Sequence, residues 1–212
     1  MQEIEDFFRV VMNSEKLIHY GGLTLLMVII FLETGVFFGF FLPGDYLLFS
    51  AGLLCGTKDL NVNIFMLLCC VTLAAIGGYF AGYASGRMAG QRLFTRENSF
   101  FFRKSHLEKA KVFFKKYGAQ SLIAGRFLPI IRTFAPIMAG ASHLNLKKFS
   151  IFNVASAFLW VWTLIPIGYF LGSEYPQIID YMEFIILGFL TVTTGAVLWE
   201  YVKAKRLKNV SK

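Results

Sequence analysis

Residues 125–140 read Gly-Arg-Phe-Leu-Pro-Ile-Ile-Arg-Thr-Phe-Ala-Pro-Ile-Met-Ala-Gly, so two arginines and two prolines interrupt an otherwise apolar run. At the centre of a bilayer-spanning helix each arginine costs about 2.5–3.5 kcal/mol, so these charges need a partner or a task. Arg126 and Arg132 are six positions apart. On an unbroken helix that is roughly 600° of rotation, leaving them about 240° out of phase. A straight helix would point them apart. Pro129 and Pro136 each remove a backbone donor. The run therefore predicts short half-helices, broken at Pro129 and Pro136, that turn both guanidinium groups toward one cavity.

The rest of the chain fits that setting. Of 212 residues 56% are hydrophobic and 16% charged, too apolar for a soluble domain of this size. The fold class expected is an all-α integral membrane protein, with residues 1–212 forming a single polytopic domain. Cys55, Cys69 and Cys70 lie in apolar stretches without the spacing of a metal site or a disulfide framework, and read as buried free thiols. The N-terminal segment mixes Glu3, Glu5 and Asp6 with Arg9. It has no basic region ahead of a small-residue cleavage site, and no removable signal peptide is expected.

In chain order, residues 17–35, 62–90, 149–172 and 181–202 read as about four transmembrane helices. Residues 36–56 contain Gly39, Pro43, Gly44, Asp45, Gly52 and Gly56. Those breakers, Pro43 and Gly44 above all, predict a re-entrant hairpin. Gly78, Gly82, Gly86 and Gly90 form a ridge of small residues for close helix approach. Residues 87–118 hold nine Lys and Arg against Glu97 and Glu108. Within them, about 103–117 shows the period of a basic amphipathic helix lying on anionic membrane lipids, so nucleic acid is not needed to explain the charge.

Charge then sets orientation. The positive-inside rule puts residues 87–118, the Lys147–Lys148 pair and the basic tail in the cytoplasm. If residues 119–143 crossed completely, the pair and the tail would lie outside. A segment that dips in and returns keeps all three clusters inside, so a second re-entrant hairpin is expected over about 119–143, with both termini cytoplasmic. Phe41-Leu42-Pro43 matches Phe127-Leu128-Pro129, and Ala51-Gly52 matches Ala139-Gly140. Two opposed hairpins of this kind form an inverted repeat, and paired broken segments point to a transporter's site at the bilayer midplane.

Three stretches, ETGVFFGFFLPGD, GYFAGYASGRMAG and above all GRFLPIIRTFAPIMAG, resemble the bacterial DedA family, a relative of the eukaryotic VTT-domain lipid scramblases. The likeness runs over residues 30–172. It implies an inner-membrane protein with two opposed re-entrant hairpins that moves lipid, with undecaprenyl phosphate as the bacterial cargo. It puts the family's acidic pair on Glu33 and Asp45 and its arginine pair on Arg126 and Arg132. The acidic residue after Pro-Gly is often glutamate in the family and is aspartate here.

In physical terms, Arg126 and Arg132 suit a phosphate head group, since the guanidinium fork donates two hydrogen bonds and keeps its charge when partly dry. Glu33 and Asp45 would take protons and couple transport to the proton gradient. The competing reading is that the four charges are two salt bridges holding the hairpins together. His19, His106 and His143 are isolated in sequence, and no clustered ligands or nucleophile motif suggest a metal, a cofactor or an enzyme. Trp160 and Trp162 read as packing or interfacial anchors. A phospholipid scramblase and a non-transporting scaffold are the alternative functions, and self-association into a homo-oligomer is left open.

Overall fold

The computed structural model describes residues 14–36, 44–57, 60–95, 118–127 and 129–175, together with residues 177, 188 and 191. Helix α1 spans Ser14–Gly35 and bends at Gly22, where φ is +53°. Helix α2 spans Gly44–Leu53, α3 Ile64–Thr95, α4 Ser121–Arg126, α5 Pro129–Ala141 and α6 Leu146–Glu174. A single 3-10 turn, Gly118–Gln120, precedes α4. Apart from one isolated bridge between Cys55 and Leu60, the described residues are helical or in turns.

Residues 64–88 of α3 and the whole of α6 are long and apolar enough to cross a membrane. Their outward faces are apolar too. Leu73, Ile151 and Phe170 are 66, 65 and 65% exposed, which is costly in water and ordinary against lipid.

Small residues set how the helices meet. On α3, Gly78 lies against the backbone of Phe31 and Gly35 in α1, Gly82 against the Pro136 ring, and Gly86 against the Ile137 carbonyl in α5. The ridge therefore serves two partners, one toward each end of α3. In return, Gly140 of α5 lies on the Tyr83 carbonyl. A second pair repeats this arrangement: in α2 and α6, Gly52 lies on the Ile165 carbonyl and Gly168 on the Phe49 carbonyl. Gly52 thus takes the place of Gly140, Phe49 that of Ile137, Gly168 that of Gly86 and Ile165 that of Tyr83. In each pair the helices run the same way and touch at the same three-residue spacing. The weak sequence match of Ala51-Gly52 with Ala139-Gly140 coincides with a real equivalence of contacts.

Directions follow from such contacts. Helix α3 opposes α6, with Ile76 bonded to Asn153 and Tyr83 to Leu144. Helix α4 rises from Leu122, packed with Tyr83 and Phe149, to Arg126 beside Asn153; α5 then returns until Gly140 reaches Tyr83 and Arg87. It closes on a Schellman turn, with Leu144 N–H bonded to Ala139 O, His143 N–H to Gly140 O, and His143 in the left-handed region at φ +57°. Asn145 then caps α6 by accepting from the Lys147 and Lys148 amides. Helices α1 and α2 make the mirror device from the opposite end. Phe31 and Gly35 advance along α3 in parallel, while Gly52 and Leu53 of α2 reach Ile165 and Gly172 of α6.

Of the hairpin expected over 36–56, residues 37–43 with Pro43 lie outside the described set, and α2 covers Gly44–Leu53. One expectation is corrected. Pro136 does not break the chain. It sits inside a continuous α5, its ring filling the space over Gly82, so the helices that carry the arginines are bounded by Arg126, which ends α4, and Pro129, which opens α5. The amphipathic segment 103–117 and the span 181–202 lie outside the described residues.

Two apolar cores result. One joins Leu26, Ile30, Leu47, Leu67, Val71 and Val161; the other joins Tyr79, Tyr83, Leu122, Ala139 and Phe149. The charged residues lie between them.

Candidate functional site

Each charge is placed by a helix end. Glu33 is on the last turn of α1 and fully buried, and Gly44 packs so tightly beneath its carboxylate that a Cβ there would overlap it. Asp45 occupies the first turn of α2, where the exposed amide ends favour a negative charge, and its side chain is 22% exposed. Arg126 is the last residue of α4, and Arg132 lies in the first turn of α5. The two helix-pair tips therefore bring opposite charges to the same level.

Arg132 ties them. Its Nη2 donates to Glu33 Oε1 and its Nη1 to Asp45 Oδ1 at 2.7 Å, so one planar fork spans both arms of the α1–α2 tip. Trp160 of α6 donates its indole N–H to the same Asp45 oxygen at 2.7 Å. The Trp160 ring lies 4.7 Å from the Arg132 guanidinium and 5.6 Å from that of Arg126. One indole thus lies within cation–π reach of both cations.

Arg126 is handled differently. It is fully buried, and among the described residues no carboxylate bonds to it. Its Nη1 donates to Asn153 O, Asn153 Oδ1 and Ser156 Oγ at 3.1, 3.2 and 2.8 Å, and its Nη2 to Ala75 O at 2.9 Å. The Tyr79 ring lies 4.0 Å beneath it. Neutral acceptors and an aromatic face solvate this charge in place of an anion, which leaves it open to one.

Both arginines thus face one place, but that place is closed, with Glu33, Arg126 and Arg132 at most 2% exposed. Glu33, Asp45 and Arg132 come together, while Arg126 is held by acceptors on α3 and α6. Gly44 lies under the Glu33 carboxylate, and the Pro136 ring packs on Gly82. Among the described residues no three His, Cys, Asp or Glu side chains converge as metal ligands.

Sequence reasoning missed Trp160, Tyr79, Asn153 and Ser156. A signal existed for three of them. Trp160, Asn153 and Ser156 fall within the expected span 149–172, and a polar tip that deep in apolar surroundings needs a partner.

Comparison with known proteins covers the same ground. The VTT-domain family matches residues 42–170. Protein DedA of Escherichia coli K12 is 39% identical over 195 residues, covering 91% of this chain and 89% of that one. An uncharacterized membrane protein of Mycobacterium leprae is 41% identical over 167 residues, 79% of this chain and 73% of its own. Inner membrane protein YqjA of Escherichia coli K12 is 37% identical over 160 residues, 75% of this chain and 71% of its own. No solved structure matches.

Proposed function

The chain belongs to the VTT-domain family, which takes in the DedA proteins, and on that premise we propose that it carries a lipid phosphate across the bacterial cytoplasmic membrane, with undecaprenyl phosphate as the cargo. The observation that carries this reading is the buried cluster in which Arg132 bridges Glu33 and Asp45 beside an Arg126 held by the neutral acceptors Asn153, Ser156 and Ala75 O. A bilayer location is supported by the apolar outer faces of α3 and α6 and by relatives named as membrane and inner membrane proteins.

In this reading the α1–α2 and α4–α5 pairs are re-entrant hairpins that enter from opposite faces and meet at the midplane. Positive-inside orientation sets Arg87, Lys147 and Lys148, all at one end of the bundle, toward the cytoplasm. The α1–α2 hairpin then opens from outside.

The chemistry follows from what holds Arg132. Taking a phosphate bare through hydrocarbon carries a large desolvation penalty, which a polar site between the hairpin tips lowers while the prenyl tail stays in lipid. At rest, the Arg132 fork is occupied by two carboxylates. Protonating Glu33 or Asp45 removes a charge-assisted hydrogen bond and frees a face of the guanidinium for phosphate. Loss of that proton on the other side restores the bridge and expels the anion. Arg126 holds its charge ready throughout.

The test is flux of labelled undecaprenyl phosphate in liposomes containing the purified protein, with and without an inward-acid pH gradient, and with Arg132→Ala in parallel. Flux that needs Arg132 and rises with the gradient is expected. Flux that needs Arg132 but ignores the gradient makes the protein a scramblase. Absence of flux from folded protein rejects the lipid-phosphate reading. The closed ion cluster also favours a second role, a tie between the hairpins, and the two are separated at the residue scale below.

A further inference from the structure

Buried polar atoms without hydrogen-bond partners are few in folded proteins, and each calls for an explanation. Six occur among the described residues, including Ser50 Oγ and Trp162 Nε1, and the other four share one site. The Tyr79 hydroxyl, Arg126 Nε, Arg132 Nε and Glu33 Oε2 are all buried and unpartnered, and all four belong to the cluster between the two cores. Three of them are donors. Tyr79 is fully buried in mid-α3, its ring 4.0 Å under the Arg126 guanidinium.

A phenol used only for packing gains nothing from its hydroxyl, and a buried hydroxyl left unbonded costs about 1–3 kcal/mol. Phenylalanine would stack on Arg126 as well without that cost. We infer that the Tyr79 hydroxyl is a phosphate-binding donor, which with the Nε groups of Arg126 and Arg132 completes a three-donor cradle for the head group of a lipid phosphate monoester. The inference rests on the transport reading above and adds to it a recognition residue that carries no charge. A tetrahedral phosphate monoester has acceptors for all three donors and, when singly protonated, a P–OH for a carboxylate oxygen such as that of Glu33, which a diester lacks.

The substitution that isolates the hydroxyl is Tyr79→Phe, which keeps the ring beneath Arg126. Flux of a long-chain polyprenyl phosphate is measured against its mole fraction in the vesicles, alongside thermal unfolding of the purified protein without substrate. For Tyr79→Phe the half-saturating fraction should rise about tenfold or more, the scale of a hydrogen bond to a charged group, while the unfolding temperature stays level or rises. Unchanged half-saturation, or a lower unfolding temperature with unchanged half-saturation, overturns the inference. Wild type that moves no polyprenyl phosphate sinks the transport reading itself, a different result from normal flux in Tyr79→Phe. Inorganic phosphate as a competitor separates the head group from the lipid: weak inhibition of wild type and weaker inhibition of Tyr79→Phe are expected. Equal half-inhibition in both overturns the role of the hydroxyl.

Discussion

Arg132 donates to carboxylates on two different helices, so its removal leaves Glu33 buried and Asp45 mostly buried without a counter-charge. Breaking a buried pair from one side costs about 3–5 kcal/mol. Arg132→Ala should therefore lower the unfolding temperature as well as stop lipid flux. Adding Glu33→Gln and Asp45→Asn to it removes the orphaned charges, and the triple variant should recover most of the lost stability without recovering flux. Flux that returns with stability would make the cluster a tie between hairpins and nothing more. Arg132→Lys probes the same division, because a lysine keeps the charge but not the planar fork, and flux should fall further than stability. The four ionisable residues were legible in the sequence because charge in an apolar run has few explanations. Trp160 was not, because an aromatic residue in a span reads as packing until its N–H is seen on Asp45. Trp160→Phe keeps an aromatic ring beside the arginines and deletes that bond, and should destabilise by about 1.5–3 kcal/mol, the usual worth of a hydrogen bond to a charged group, read from thermal unfolding.

The elements are held by backbone-to-backbone approach at glycines, so packing, not propensity, decides where they lie. A side chain at Gly86 would meet the Ile137 carbonyl, and one at Gly168 the equivalent Phe49 carbonyl. Neither carbonyl belongs to a flexible side chain that can swing away. Gly86→Leu and Gly168→Leu should each lower stability by about 1–3 kcal/mol or more through overpacking, and by similar amounts, since the two contacts are equivalent. A large effect at Gly86 with none at Gly168 would end the claim that α2–α6 repeats α5–α3. The α3 ridge was readable from its four-residue spacing. Its partners were not, because spacing marks a face without saying what covers it, and on α6 Gly168 and Gly172 repeat the four-residue step only once. Pro136 misled for a related reason. A proline removes a donor wherever it stands, but α5 tolerates the loss where the ring itself packs against Gly82.

At the scale of the whole molecule, the two helix pairs approach the charged level from opposite ends of the bundle, and that geometry is what a bilayer would convert into two-sided access. Positive residues near Lys147 suggested the side of one end from sequence alone, through the parity of basic clusters. The direction of α1 could not be read that way, because an apolar stretch of this length looks the same whether it crosses or turns back at Gly35. Only its register along Gly77 and Gly78 shows that it runs with α3. Opposed entry makes a prediction about accessibility. In a chain with Cys55, Cys69 and Cys70 replaced by serine, a single cysteine at exposed Asn61 reports one end and a single cysteine at half-exposed Leu146 the other. A membrane-impermeant maleimide should label Asn61→Cys in intact spheroplasts and Leu146→Cys only in inside-out vesicles. Labelling of both from the same side would mean that the α2–α3 and α5–α6 connections share a face. The hairpins would then not oppose each other, and the ion cluster between the cores would have no second side to which a proton or a lipid head group could be released.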